Sequence, residues 1–285
     1  MLMTVVCMQA VRAKSVVFLH RMLTMLGVGS LNALSFALPI LVQSSDVGDI
    51  EQVVQLFNLM LTDLGETCLS VSQSFLFILL DKLEYLTISV AGETIAPHVE
   101  VECLGVRKLY ISVIYHVFST GSKMALFCDQ NVRRVPEVYH KIAAYSKDAP
   151  FSNETKIALL RSSLGVWLEV CKAWKDSDSP LVQQLNTTVL LNDILPFLLR
   201  APLDGSLNAK DAQTQTVLAD LGGLLWTVRE RMGAEVFSNY IFNILQCAGW
   251  TNRDSAETLN SLLTSNINFT AFREEFKKVI RASVA

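Results

Sequence analysis

Little in this sequence interrupts a helix. Seven prolines and thirteen glycines are spread over 285 residues, and alternating apolar/polar runs are short. A β-sandwich or barrel, which needs many short strands set off by turn residues, is excluded. Paired cysteines are absent as well. Cys7, Cys68, Cys103, Cys128, Cys171 and Cys247 include no CxxC pair, and most stand among apolar helix residues. That pattern excludes the common zinc and dithiol motifs and reads as buried free thiols in a reducing compartment. Sequons at Asn153, Asn186 and Asn268 would then carry no meaning, since they matter only in a secreted chain.

Catalytic signatures are missing too. There is no HExxH, no phosphate-binding P-loop and no G-x-S-x-G. His20, His98, His116 and His140 are far apart in sequence and unpaired with cysteine. Gly27-Val28-Gly29 lacks the strand that precedes a dinucleotide site. No catalytic residue, metal ligand set or cofactor site is expected, and the chain does not read as an enzyme. Charged residues make up 18% of the chain and its formal net charge is −3. This excludes a uniformly basic nucleic-acid binder but not a local basic patch.

What the sequence does contain is helical apolar spacing. Over 217–232, Val217, Leu218, Leu221, Leu224, Leu225, Val228 and Met232 fall on one stripe. Asn208 is the expected cap of that helix, with Asp211 near its positive end. Ile50, Val53, Val54, Phe57, Leu61 and Leu64 form a similar stripe after the expected cap Asp46. Ile157, Leu160, Leu164, Trp167, Leu168 and Cys171 form another. Helices are expected over 4–26 (burying Val16, Val17, Leu19, Leu23 and Leu26), 31–43, 70–91, 101–120, 130–147 and from 152 or 153 onward. The segment 192–232 reads as a helix, a turn and a longer helix folded back. Three more helices follow near 234–248, 252–265 and 269–283. Pro39 lies inside its helix, and Pro136 either opens the helix near Val135 or kinks a longer one. In the last helix Phe269, Phe272, Phe276, Val279 and Ile280 are expected to face inward, with Arg273, Lys277 and Arg281 on the other side.

About twelve helices joined by short turns make about six hairpins, at the 40–47-residue period of HEAT or armadillo units. The fold class expected is all-α, a HEAT-repeat-like α-solenoid spanning 1–285, in which each hairpin touches only its neighbours. The alternative is a compact all-α globule. Met22 to Ser45 runs 24 residues without a charge, long enough to cross a bilayer. Its glycines, Asn32, Pro39, Gln43 and serines fit two buried helices joined near 27–30 better, so membrane insertion is not expected. The start MLMTVVCMQAVRAK places its charges after its apolar part, the reverse of a signal peptide.

The piece DILPFLLRAPLDGSLNAKDAQTQTVLADL, Asp193 to Leu221, resembles the exportin-T family of karyopherin-β receptors, which has a similar helix, AP-L turn and DAQT-like helix start. FLHRM (18–22), QNVRRV (130–135) and FREEFKKVI (272–280) follow in the family's order. The resemblance implies the C-terminal HEAT-type array of a receptor that carries tRNA out of the nucleus with Ran-GTP. It also implies that the N-terminal repeats making most of the Ran-GTP contact lie outside this chain. Nucleoporins at the pore would be further partners, and the protein would shuttle between nucleus and cytoplasm. The alternative of the same architecture is a HEAT-repeat interaction scaffold or a transport receptor for protein cargo.

Charge is uneven along the chain. Residues 1–45 hold three bases and no acid; 46–104 hold ten acids and one base; 105–175 hold eleven bases and five acids. The basic segment supplies the candidate RNA-binding residues: Arg107, Lys108, Lys123, Arg133, Arg134, Lys141, Lys147, Lys156 and Arg161. Arg134 and Lys141, seven apart, are expected to share a helix face. A receptor for all tRNAs must read common shape and phosphates, which scattered cations on helices suit. An ordinary solvated face is the other reading. Trp167, Trp174, Tyr110 and Tyr115 have the ring faces to stack on bases, but their helical spacing also fits core. The acidic stretches near 46–102 and 176–220 either serve solubility, keep RNA off the outer surface, or meet basic parts of Ran.

Overall fold

A computed structural model describes residues 2–88, 97–147, 153–175, 178–201, 211–247, 261–262 and 268–284. Among them there is helix and turn and no strand. The chain divides into two compact units, Met1–Val138 and Tyr139–Ala285.

In the first unit, α1 (Leu2–Leu26) is followed by a 3-10 turn, η1 (Gly27–Ser30), and α2 (Leu31–Ser44), which holds Pro39. Next come α3 (Ile50–Leu64), η2 (Gly65–Cys68), α4 (Leu69–Ile88) and α5 (Pro97–Ser119). A short α6 (Met124–Phe127) and η3 (Val132–Arg134) lead to α7 (Val135–Lys147), inside which the division between units falls. Packing alternates: α1 lies on α3 and α3 on α5, while α2 lies on α4 and α4 on α6. Every second helix therefore shares a layer, the two-layer order of a HEAT-type array of hairpins.

Two glycines make the tight turns. Gly27 and Gly65 have φ near +52° and +51°, a conformation L side chains rarely adopt. Both interrupt stretches, Gln9–Ser44 and Ile50–Thr87, that are long and apolar enough to cross a membrane by length and composition. In the structure each stretch is two helices meeting at that glycine. Val16, Leu19 and Leu23 of α1 are buried, but Val17 and Leu26 are not (51% and 57% exposed). Phe18 and Met25 of α1 and Phe36 and Ile40 of α2 are exposed as well.

The α3 stripe is buried from Ile50 to Leu61, and Phe57 meets Phe75 edge-on. The expected cap is corrected. The helix starts at Ile50, and the Asp46 carboxylate instead accepts from Gly48 and Asp49 N–H in the preceding turn, at 2.9 and 3.2 Å. Asp49 is drawn away by an ion pair with Arg12 of α1. Buried Asn131 donates to the carbonyls of Gln73 (2.8 Å) and Ala125 (2.7 Å), fastening the α6–η3 turn to α4.

In the second unit, α8 (Asn153–Ala173) precedes α9 (Pro180–Leu185), which Ser179 caps by accepting from Val182 N–H. The helix then widens into a π-helix, π1 (Asn186–Ile194), and returns to α geometry in α10 (Leu195–Arg200). After it come α11 (Ala212–Met232), α12 (Ala234–Cys247) and α13 (Phe269–Val284). The helix expected over 252–265 lies outside the described residues except for 261–262. The cap of α11 is Asp211, whose carboxylate accepts from Thr214 N–H at 3.0 Å; Asn208, the expected cap, lies outside the described residues. α11 packs on α8 and α13, and α10 on α12.

The glycine pair of α11 allows this contact. A Cβ on Gly222 would stand 3.3 Å from Phe276 Cδ1 and 3.7 Å from the α13 backbone at Arg273. Phe272, Phe276, Val279 and Ile280 are buried as expected, while Phe269 is 41% exposed beside Trp226. Arg273 and Arg281 do not simply face away: Arg273 donates to the Ala219 carbonyl (2.9 Å) and Arg281 to Gln215.

Candidate nucleic-acid interface

The nine basic candidates of 105–175 separate into engaged and open groups. On α5, Arg107 is half-buried and Lys108 is exposed. Lys123 is half-buried before α6. In η3, Arg133 points outward while Arg134 is held by carboxylates. Arg134 Nη1 and Nη2 lie 3.0 and 2.5 Å from the two oxygens of Asp81, and its Nε lies 3.0 Å from Glu137. Its guanidinium also stacks 4.3 Å from the Phe77 ring centroid. The hydrogen bonds to Asp81, then to Glu137, push its already high pKa further up. Arg134 thus fastens η3 to α4, and its charge is neutralised in place.

Arg134 and Lys141, expected to share a helix face, fall in two successive elements. Pro136 sits in the first turn of α7, so the helix begins at Val135 and Arg134 belongs to the 3-10 turn before it. Lys141 is half-buried on α7. Lys147 pairs with Asp193 of π1 and lies 5.9 Å from the Phe197 centroid. Arg161 Nε is 3.3 Å from Asp220, a carboxylate also 3.9 Å from Arg273. Lys156 falls on α8, its side chain outside the described residues. Lys108 and Arg133 remain exposed, with no hydrogen bond or ion pair among the described residues.

The aromatic candidates divide similarly. Trp167 and Tyr110 are core, and Trp167 meets Tyr139 edge-on at 5.7 Å. Trp174 is half-buried, donates to Gln183 (2.5 Å) and carries Arg231 over its ring. Tyr115 is 38% exposed. Among the described residues no three His, Cys, Asp or Glu converge as a metal site. Cys171 is deeply buried, and burial pushes its thiol well above the ordinary range.

One site escapes any reading by charge runs. In the second unit a cavity of about 640 Å³ opens where π1 and α10 face α12. Pro196 lies on its wall. In π1 the ladder runs from residue i to i+5, as Leu195 N–H donating to the Leu190 carbonyl shows. The next carbonyl, Leu191, would take its hydrogen bond from residue 196, and proline has no N–H. The Tyr240 hydroxyl of α12 donates to Leu191 instead. Burial pushes the Tyr240 phenol up, which keeps it a donor. The signal in the sequence was a proline inside an otherwise helical run. The partner, 49 residues away, left none.

The exportin-T family model matches residues 1–284. No curated protein and no solved structure matches the chain.

Proposed function

The chain belongs to the exportin-T family of nuclear export receptors, and from that premise we propose that it binds tRNA together with Ran-GTP and carries it from nucleus to cytoplasm. The family match over 1–284 carries the reading. Recognition is of shape and phosphate: cations on rigid helices meet the backbone of folded RNA, whose deep major groove hides its base edges from side chains. Lys108 and Arg133 are the open cations for this role. Lys123, Lys141 and Arg161 are secondary ones, and Arg134 has a structural role. The chain acts as the C-terminal array of the receptor, with Ran-GTP contacted mainly by repeats outside it and nucleoporins met during passage.

Binding of labelled tRNA over a salt series, with and without Ran-GTP, tests this. Tighter binding with Ran-GTP, and preference for tRNA over other RNA of equal length, are expected. Equal binding of both RNAs would favour a receptor for protein cargo.

A further inference from the structure

The cavity beside π1 has the make-up of a nucleotide site. Phe197 gives it a ring, and Lys147, 5.9 Å from the Phe197 centroid, stands over that ring while its charge is balanced by Asp193. Lys147 and Asp193 together carry no net charge, so Arg200 sets the sign of the cavity. Asn192 and Asn243 are exposed at the cavity, and neither amide has a hydrogen bond among the described residues. Each amide offers a donor and an acceptor side by side, the pattern a base edge needs. Arg200 at the same cavity is exposed and unpaired among the described residues, and its guanidinium fork matches a phosphate.

The backbone is fixed under these groups. Tyr240 closes the Leu191 carbonyl that Pro196 leaves open, so π1 and α12 are tied together at the cavity wall. A volume of about 640 Å³ falls within the range of small-ligand sites. An apolar peptide would leave the Arg200 guanidinium unused, and an acidic one would offer the Phe197 ring no planar partner.

We propose that this cavity takes one unpaired nucleotide of RNA, its base against Phe197, its edge on Asn192 or Asn243 and its phosphate on Arg200. The proposal rests on the reading of the chain as an RNA carrier and adds a single-strand subsite to it. Stacking and a positively charged contact are the usual means of holding single strands without sequence preference.

The test uses the full 285-residue chain and a fluorescein-labelled single-stranded RNA tetranucleotide, followed by anisotropy at fixed salt. The wild type is expected to bind the tetranucleotide and to prefer it to a blunt RNA duplex of equal charge. Arg200→Ala should weaken it at least tenfold and Asn243→Ala several-fold. Both side chains are exposed, and unchanged circular dichroism would show that the fold persists. Phe197→Leu, which keeps an apolar wall but removes the ring, should weaken it several-fold. Equal affinity of wild type and both surface variants overturns the proposal, as does displacement of the tetranucleotide by an acidic tetrapeptide at equal concentration. If intact tRNA still binds in that case, only the subsite fails. If wild type binds neither tetranucleotide nor tRNA, the RNA-carrier reading fails with it.

Discussion

At the residue scale, a basic side chain is informative only once its neighbours are known. Arg133 and Arg134 are adjacent and chemically the same, yet one is open and the other is closed by Asp81 and Glu137. Replacing each open cation, Lys108→Ala or Arg133→Ala, should weaken tRNA binding and reduce the salt slope by about one unit, the signature of one phosphate contact. Arg134→Ala should instead lower stability by about 1 kcal/mol in urea unfolding, since its pairs are only partly shielded from solvent. A large change in salt slope from Arg134→Ala, without loss of stability, would reverse these assignments. The charge runs were legible in the sequence, but their pairing was not. Asp81 lies 53 residues from Arg134, and Asp193 46 from Lys147. Such partners are chosen by packing, which no local window contains. Thiol chemistry gives a second check at this scale: buried Cys171, with its raised pKa, should react with a disulfide reagent in the native chain far more slowly than after unfolding.

At the element scale, periodicity carried most of the helices and local chemistry moved their ends. The stripe of α11 is buried from Val217 to Val228 as its spacing requires. Its cap is Asp211, because a carboxylate at that position reaches the Thr214 N–H. Pro136 proved to be a first-turn proline, the role its fixed φ favours. The widening of π1 was not legible, since a shift from i+4 to i+5 bonding leaves composition unchanged. Pro196 and Tyr240 are predicted to be coupled. Tyr240→Phe leaves the Leu191 carbonyl without its donor and should cost about 1–2 kcal/mol. Pro196→Ala restores an N–H at that register, so Tyr240→Phe should cost measurably less in that background. Additive effects in the double-mutant cycle would contradict the account of π1. The α11–α13 contact makes a third prediction. Gly222→Val pushes a branched side chain into Phe276 and the α13 backbone, and should destabilise by about 1–3 kcal/mol. Valine tolerated there without cost would mean that the close approach is not needed.

At the scale of the whole molecule, the packing of helix hairpins on one another, seen as alternating layers in the first unit, is the physical basis of the array. A hairpin with two apolar flanks is stable only when sandwiched, so each one passes its packing to the next and leaves its outer helix faces for charge. The spacing of apolar residues made this legible, together with the scarcity of helix breakers. Val17 and Leu26 of α1 are exposed and did not follow the rule that a regular stripe is buried, because burial depends on what lies beside a helix. Function entered through the family rather than through any residue cluster, since most of the described basic candidates are paired or partly enclosed. The central claim is therefore one of selectivity by shape and phosphate. Its most direct test is filter binding of labelled tRNA against an unstructured RNA of equal length, from low to physiological salt, with Ran-GTP present and absent. The account predicts a preference for tRNA that survives at physiological salt and tightens with Ran-GTP. Identical binding of the two RNAs, lost together as salt rises and indifferent to Ran-GTP, would contradict it.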